Sequence, residues 1–216
     1  WHFEQAYLPS TLRSLSYDTV CHEHIEYYSM LSVKNILDRA GMKIVDVTLN
    51  DINGGSFAVT ACKDTNTSIP VNHSVINWLI EEEYKMRLDT ELPYLDFAQR
   101  THEHRDSLIN LVRALRADGK TIYGYGASTK GNVLLQWCGF TADDITAIGE
   151  VNTDKFGCVT PGTNIPIIDE QEVKDANPDY MIVLPWHFKN GIIQREKEYM
   201  KGGGKFIFPL PYIQII

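Results

Sequence analysis

The chain has 216 residues, 44% apolar and 22% charged, ordinary values for a globular protein with room for one large or two small domains. Its formal net charge is -8 and no Lys/Arg cluster is longer than two residues, which argues against nucleic acid as a partner. No stretch approaches the roughly 18 consecutive apolar residues of a membrane span, so no membrane partner is expected.

Cys21, Cys62, Cys138 and Cys158 are too widely spaced for a zinc pair or a secreted disulfide framework, and a reducing cytoplasm is the expected setting. The sequence opens on Trp1 rather than Met, directly in structured-looking chain, which suggests a fragment.

In chain order, residues 1–16 read as an irregular or short helical lead-in broken by Pro9, and Tyr17 to Cys21 as a short strand running into His22-Glu23-His24. Leu31 to Ala40 has the spacing of an amphipathic helix, with Gly41 at its end. Lys43 to Leu49 and Ser56 to Cys62 read as paired strands around Asn53-Gly54-Gly55. Residues 64–70 are polar and end in Pro70, the best linker candidate. Helical stretches follow at about 71–88 and 94–117, with Pro93 between them.

From Lys120 onward strands and helices alternate. Strands are expected at Thr121 to Tyr125, Ile145 to Val151, Tyr180 to Leu184 and Lys205 to Phe208. Helices are expected near Lys130 to Cys138, Asp169 to Asp175 and Gly191 to Lys201. This alternation predicts an α/β fold with a doubly wound, mainly parallel sheet, whose ligands lie at the carboxyl ends of the strands.

The turn containing Gly124, Gly126, Ser128, Thr129, Lys130, Gly131 and Asn132 follows a strand and opens a helix. Its glycines permit close backbone approach, and a helix start with three side-chain donors suits a phosphate. Lys130 stands where a third small residue would complete the dinucleotide fingerprint, and a tight turn with a solvated lysine is the alternative.

In extended chain, His22 and His24 share a face and Glu23 takes the other. A histidine there is a suitable base for a proton beside a ketone; a metal site or a plain polar strand remain open. His102-Glu103-His104 repeats the letters inside a helix, where residues two apart point about 200° apart, and reads as a solvated face. Trp186 and His187 end the third strand, where the ring could stack on a ligand or simply cap the core, and Thr163 lies in a turn that could shape the same crevice. Glu150 is the nearest candidate for the ribose-binding acid of an NAD enzyme.

Six ordered segments carry a family resemblance: YDTVCHEHIEYYSMLSV (17–33), INGGSFAV (52–59), IYGYGASTKGNVLLQWCG (122–139), TPGTNIPI (160–167), LPWHF (184–188) and GGGKFIFPLP (202–211). Together the chain resembles the S-adenosyl-L-methionine (SAM)-dependent C-methyltransferases that act on nucleotide-linked deoxysugars. The resemblance implies a three-part protein: a zinc-binding domain, a SAM-binding Rossmann domain and a C-terminal Rossmann-like domain. Residues 1–64 would be the tail of the SAM domain, 65–117 a helical connector and 118–216 the sugar-nucleotide domain. The zinc cysteines and most of the SAM site would lie upstream, with no metal in this segment.

By the same resemblance His24 is the general base, with Glu23 and His22 beside it. It would remove the proton next to the ketone of a 4-keto sugar, and the resulting enolate carbon would attack the SAM methyl group. The substrate would be a dTDP-sugar. Two departures stand out: Cys21 replaces the tyrosine of the family's Tyr-His-Glu-His, and Glu150-Val151-Asn152-Thr153-Asp154-Lys155 replaces an Asp and an Asn-Pro pair. A non-catalytic nucleotide-binding module and an NAD-dependent oxidoreductase are the competing readings.

Overall fold

The computed structural model describes residues 1–216, except for the side chain of Asn53. It divides into two compact units. One comprises residues 1–16 and 24–99, the other residues 17–23 and 100–216.

The first unit is built on three antiparallel strands, β1 (His2–Ala6), β2 (Met42–Asn50) and β3 (Ser56–Lys63), in the order β1-β3-β2. Of the irregular or short helical lead-in expected for residues 1–16, the short helix is present as α1 (Leu8–Arg13), but the chain before it is a strand paired with β3. Pro9 does not break that helix. It lies in the first turn, where a missing N–H costs no hydrogen bond.

Helix α2 (Met30–Arg39) matches its expected span, and Gly41 follows the C-cap Ala40 at φ 67°, a left-handed position that glycine adopts without strain. β2 and β3 pair as expected. A register shift between Ile44 and Asp46 breaks strict alternation, and Ile44, Val45 and Val47 are all buried. Residues 64–70 are a loop within this unit, because helix α3 (His73–Lys85) after it sends Ile76 and Leu79 into the same core as Met30, Leu37, Phe57 and Val59. Helix α4 (Leu92–Ala117) carries Pro93 in its first turn rather than before it, and the division between units falls within this helix.

The second unit is a six-stranded sheet ordered β6-β5-β4-β7-β8-β9. It comprises β4 (Ile122–Tyr125), β5 (Ile148–Glu150), β6 (Ile167–Asp169), β7 (Tyr180–Val183), β8 (Lys205–Phe208) and β9 (Gln214–Ile215). All neighbouring pairs are parallel except β8 and β9.

The mainly parallel, doubly wound α/β sheet expected from the alternation is therefore present. β6 and β9 were not expected, being only 3 and 2 residues long. Helices α5 (Thr129–Cys138) and α6 (Glu170–Asp175) follow their strands. The single helix expected over 191–201 is two, α7 (Lys189–Arg195) and α8 (Lys197–Lys201). Glu196 interrupts them at φ -101°, ψ 27°, and its buried carboxylate accepts from Tyr125 Oη (3.0 Å), Lys174 Nζ (3.1 Å) and Arg195 Nε (2.6 Å).

The chain runs from β4 outward through β5 to β6, then returns to β7 on the other side of β4. The loops after β4 and β7 therefore diverge and open a crevice, the usual ligand position in such sheets.

Candidate functional site

Ser128 caps α5: its Oγ accepts from Gly131 N–H at 3.0 Å. Thr129, Lys130, Gly131 and Asn132 form the first turn, and the first intrahelical bond runs from Asn132 N–H to the Ser128 carbonyl at 3.2 Å. The N–H groups of Thr129 and Lys130 precede that bond and point out of the helix start.

The glycines have distinct duties. Gly126, at φ 79°, turns the chain out of β4. Gly124 and Gly131 serve close packing, since a Cβ there would stand 2.7 Å from Ile148 Cγ1 and from Leu184 Cβ respectively. Thr163 bonds to Thr160 Oγ1 at 2.6 Å, in a loop held to α5 by Gln136 Nε2 donating to Pro161 O at 2.8 Å. That anchor lies seven residues past the helix start, roughly 10 Å along the axis.

Lining a cavity of about 460 Å³ at the switch point are Tyr125, Gly126, Ala127 and Ser128 from one loop and Pro185, Phe188, Gly191 and Ile192 from the other, with Gly149, Glu150, Val151, Lys155, Glu170 and Arg195 around them. Glu150 ends β5, where an NAD enzyme would hold a ribose. Here its Oε1 accepts from Val151 N–H (2.8 Å) and Asn152 N–H (3.0 Å), and its Oε2 from Ala127 N–H (3.0 Å) and Lys155 Nζ (3.4 Å). Burial pushes this carboxyl's pKa up, yet the Asn152 and Val151 N–H bonds, Lys155 and the Ala127 N–H together hold it below the ordinary range. All four lone-pair directions are engaged, so the carboxylate is not offered to a ribose diol.

Trp186, His187 and Lys130 belong to a second cluster that also contains Asp18, a residue the sequence reading did not single out. Trp186 is buried, and its Nε1–H donates to Asp18 Oδ2 at 2.7 Å, which favours the core-capping reading of this ring over ligand stacking. Asp18 is 1% exposed, and its Oδ1 has no hydrogen-bond partner among the described residues. Burial raises its pKa to about 6, against the lowering effects of the Trp186 bond and the Lys130 charge. His187 Nδ1 is likewise buried without a partner among the described residues, and burial followed by the Lys130 charge lowers its pKa to about 4.

The strand expected over Tyr17 to Cys21 is corrected to one 3-10 turn, Tyr17–Thr19, followed by a bend and a turn. His22 and His24 therefore do not share a strand face. The side chains of the turn explain the change, since Asp18 is committed to Trp186 and Tyr17 to His104. His22 and Glu23 are exposed and His24 is half-buried.

His104 corrects the solvated-face reading of His102-Glu103-His104: it is buried, with Nε2 2.6 Å from the Pro209 carbonyl and Nδ1 3.1 Å from Tyr17 Oη. A carbonyl can only accept, so Nε2 carries the hydrogen and Nδ1 accepts from the tyrosine hydroxyl. The opposed directions two residues apart hold, for His102 is exposed beside the Trp137 ring. No run of three letters could reveal Tyr17 or Asp18, whose partners lie 87 and 168 residues away.

A parallel, doubly wound sheet with a switch-point crevice and an adjoining polar cluster defines a Rossmann-like α/β unit. Comparison with known proteins gives the family. Residues 51–211 match the C-methyltransferase C-terminal domain. C-methyltransferase NovU of Streptomyces niveus is 36% identical over 216 residues, covering 99% of this chain and 50% of that protein. The chain belongs to the C-methyltransferase family. It spans about half the length of that relative. No helix among the described residues is long and apolar enough to cross a membrane, and none of their His, Cys, Asp and Glu side chains cluster as metal ligands.

Proposed function

We propose that the whole protein is a SAM-dependent C-methyltransferase of a nucleotide-linked 4-keto-deoxysugar, most simply a dTDP-sugar, working in the reducing cytoplasm. In this reading residues 1–64 close a SAM-binding domain, 65–117 connect, and 118–216 seat the sugar nucleotide. His24 removes the proton beside the ketone, whose carbonyl delocalises the charge left behind, while His22 and Glu23 flank it. The first turn of α5, with Lys130, orients the diphosphate, and Trp186 acts indirectly by holding the loop that carries His187.

SAM supplies the methyl group from a site that lies mostly upstream of these residues. The glycine turn does not fit it, because the Ala127 N–H is already bonded to Glu150. Support for the reading comes from family membership and, above all, from one observation. Residues 17–23, directly ahead of His24, are anchored on the unit that contains Lys130 and His187.

Calorimetric titration of the chain with dTDP, NAD and SAM separately tests the seat. Binding of dTDP alone is expected, whereas tight NAD binding without dTDP binding overturns the reading. In the full-length protein, His24→Ala should slow solvent-deuterium exchange at the sugar carbon by about 100-fold or more. Unchanged exchange removes His24 as the base.

A further inference from the structure

A glycine turn between a parallel strand and a helix ordinarily offers its N–H groups to a ligand phosphate. In this chain both polar groups of the Ala127 residue in that turn are already claimed. Its N–H donates to Glu150 Oε2 at 3.0 Å, and its carbonyl accepts from Lys155 Nζ at 2.7 Å. The other carboxylate oxygen takes the Val151 and Asn152 N–H groups, the next donors along the rim. Glu150 thus sits where an incoming anion would sit, on the donors that anion would use.

The rest of the crevice carries no spare positive charge. Lys155 pairs with Glu150, and Arg195 pairs with Glu170 and Glu196. Between these pairs the lining is apolar, with Val151, Pro185, Phe188 and Ile192. An approaching phosphate would meet a fixed carboxylate already seated on the Ala127, Val151 and Asn152 N–H groups, whereas a neutral ring would meet the apolar side chains of the lining.

We infer that Glu150 is a built-in anion that closes the glycine turn to diphosphates and makes the switch-point crevice a subsite for an uncharged, ring-bearing group. Naming that group as the nucleoside rests on the sugar-nucleotide reading above; the exclusion of phosphate does not. The diphosphate is then left to the α5 start on the Lys130 side, and Glu150 determines which end of the ligand enters the crevice.

Backbone-amide NMR of the 216-residue chain, titrated with inorganic pyrophosphate, thymidine and dTDP, tests this. Thymidine should move the Val151 and Phe188 amides. Pyrophosphate should leave Ala127, Val151 and Asn152 unmoved in the wild type. The isosteric Glu150→Gln should make the Ala127 amide respond to pyrophosphate at a concentration at least about tenfold lower than any wild-type response.

A saturable pyrophosphate shift at wild-type Ala127 overturns the inference, whether or not the variant folds. So does a Glu150→Gln chain that folds and still shows none. Thymidine shifts confined to residues outside the crevice overturn the uncharged subsite. Failure of dTDP to bind anywhere overturns the sugar-nucleotide reading, while the pyrophosphate response at Ala127 still decides the role of Glu150.

Discussion

Asp18 shows what a single buried carboxyl does to this protein. Its ordinary pKa of 3.8 rises to about 6 on folding, so the folded state holds a proton that the unfolded state has lost between those values. Stability contributed by the protonated form is intact below about pH 4 and is lost as pH rises toward 6. Above that, the chain bears the full cost of a buried carboxylate, on the order of 3 kcal/mol.

Asp18→Asn keeps an acceptor for Trp186 Nε1 and removes the titration. Its stability relative to wild type, from urea denaturation, should improve between pH 4 and pH 7 by about that amount; a pH-independent difference would refute the assignment. His187 slopes the other way, since a lowered pKa makes stability grow as pH rises from about 4 to 6.5. The asparagine variant should expose that slope. None of this was legible in the sequence, where Asp18 is one acid among 28 Asp and Glu residues. Its chemistry comes from burial and from Trp186, neither of which leaves a local pattern.

Among the elements, those with a strong period were readable and those set by a distant side chain were not. Helix α2 was predicted within a residue or two because its apolar spacing and terminal glycine agree. What holds its N-terminus was invisible: Glu83 of α3, fully buried, accepts from Met30 N–H at 2.6 Å and Leu31 N–H at 2.8 Å. A carboxylate at a helix start is favoured by the exposed N–H groups and the helix dipole, and here it also ties α2 to α3. Glu83→Ala would leave one buried and one half-buried donor bare, and we expect a loss of about 3–5 kcal/mol in chemical denaturation, against a smaller loss for Glu83→Gln. Equal, negligible effects would show that water replaces the carboxylate. The turn at Tyr17–Thr19 differs from its sequence pattern for a related reason: its apolar and β-branched residues read as a strand, while two long-range hydrogen bonds decide its shape.

On the scale of the molecule, alternation in the last hundred residues sufficed to predict the parallel sheet, and the crevice followed from its strand order. The short strip 17–23 did not follow, because it is separated from the rest of its unit by 76 residues of the other. A fragment spanning 100–216 would contain every strand of that sheet yet lack Tyr17 and Asp18. Trp186 Nε1 and His104 Nδ1 would then lose their partners, so we expect a lower melting temperature than the whole chain and a red-shifted tryptophan emission. A fragment as stable as the parent chain would show the strip to be dispensable. The same strip bears on any exchange of parts between relatives. No single crossover point can transplant the parallel-sheet unit intact; a working chimera must import the Tyr17–Glu23 heptad from the same parent as Trp186, so two distant stretches of the gene are inherited as one module.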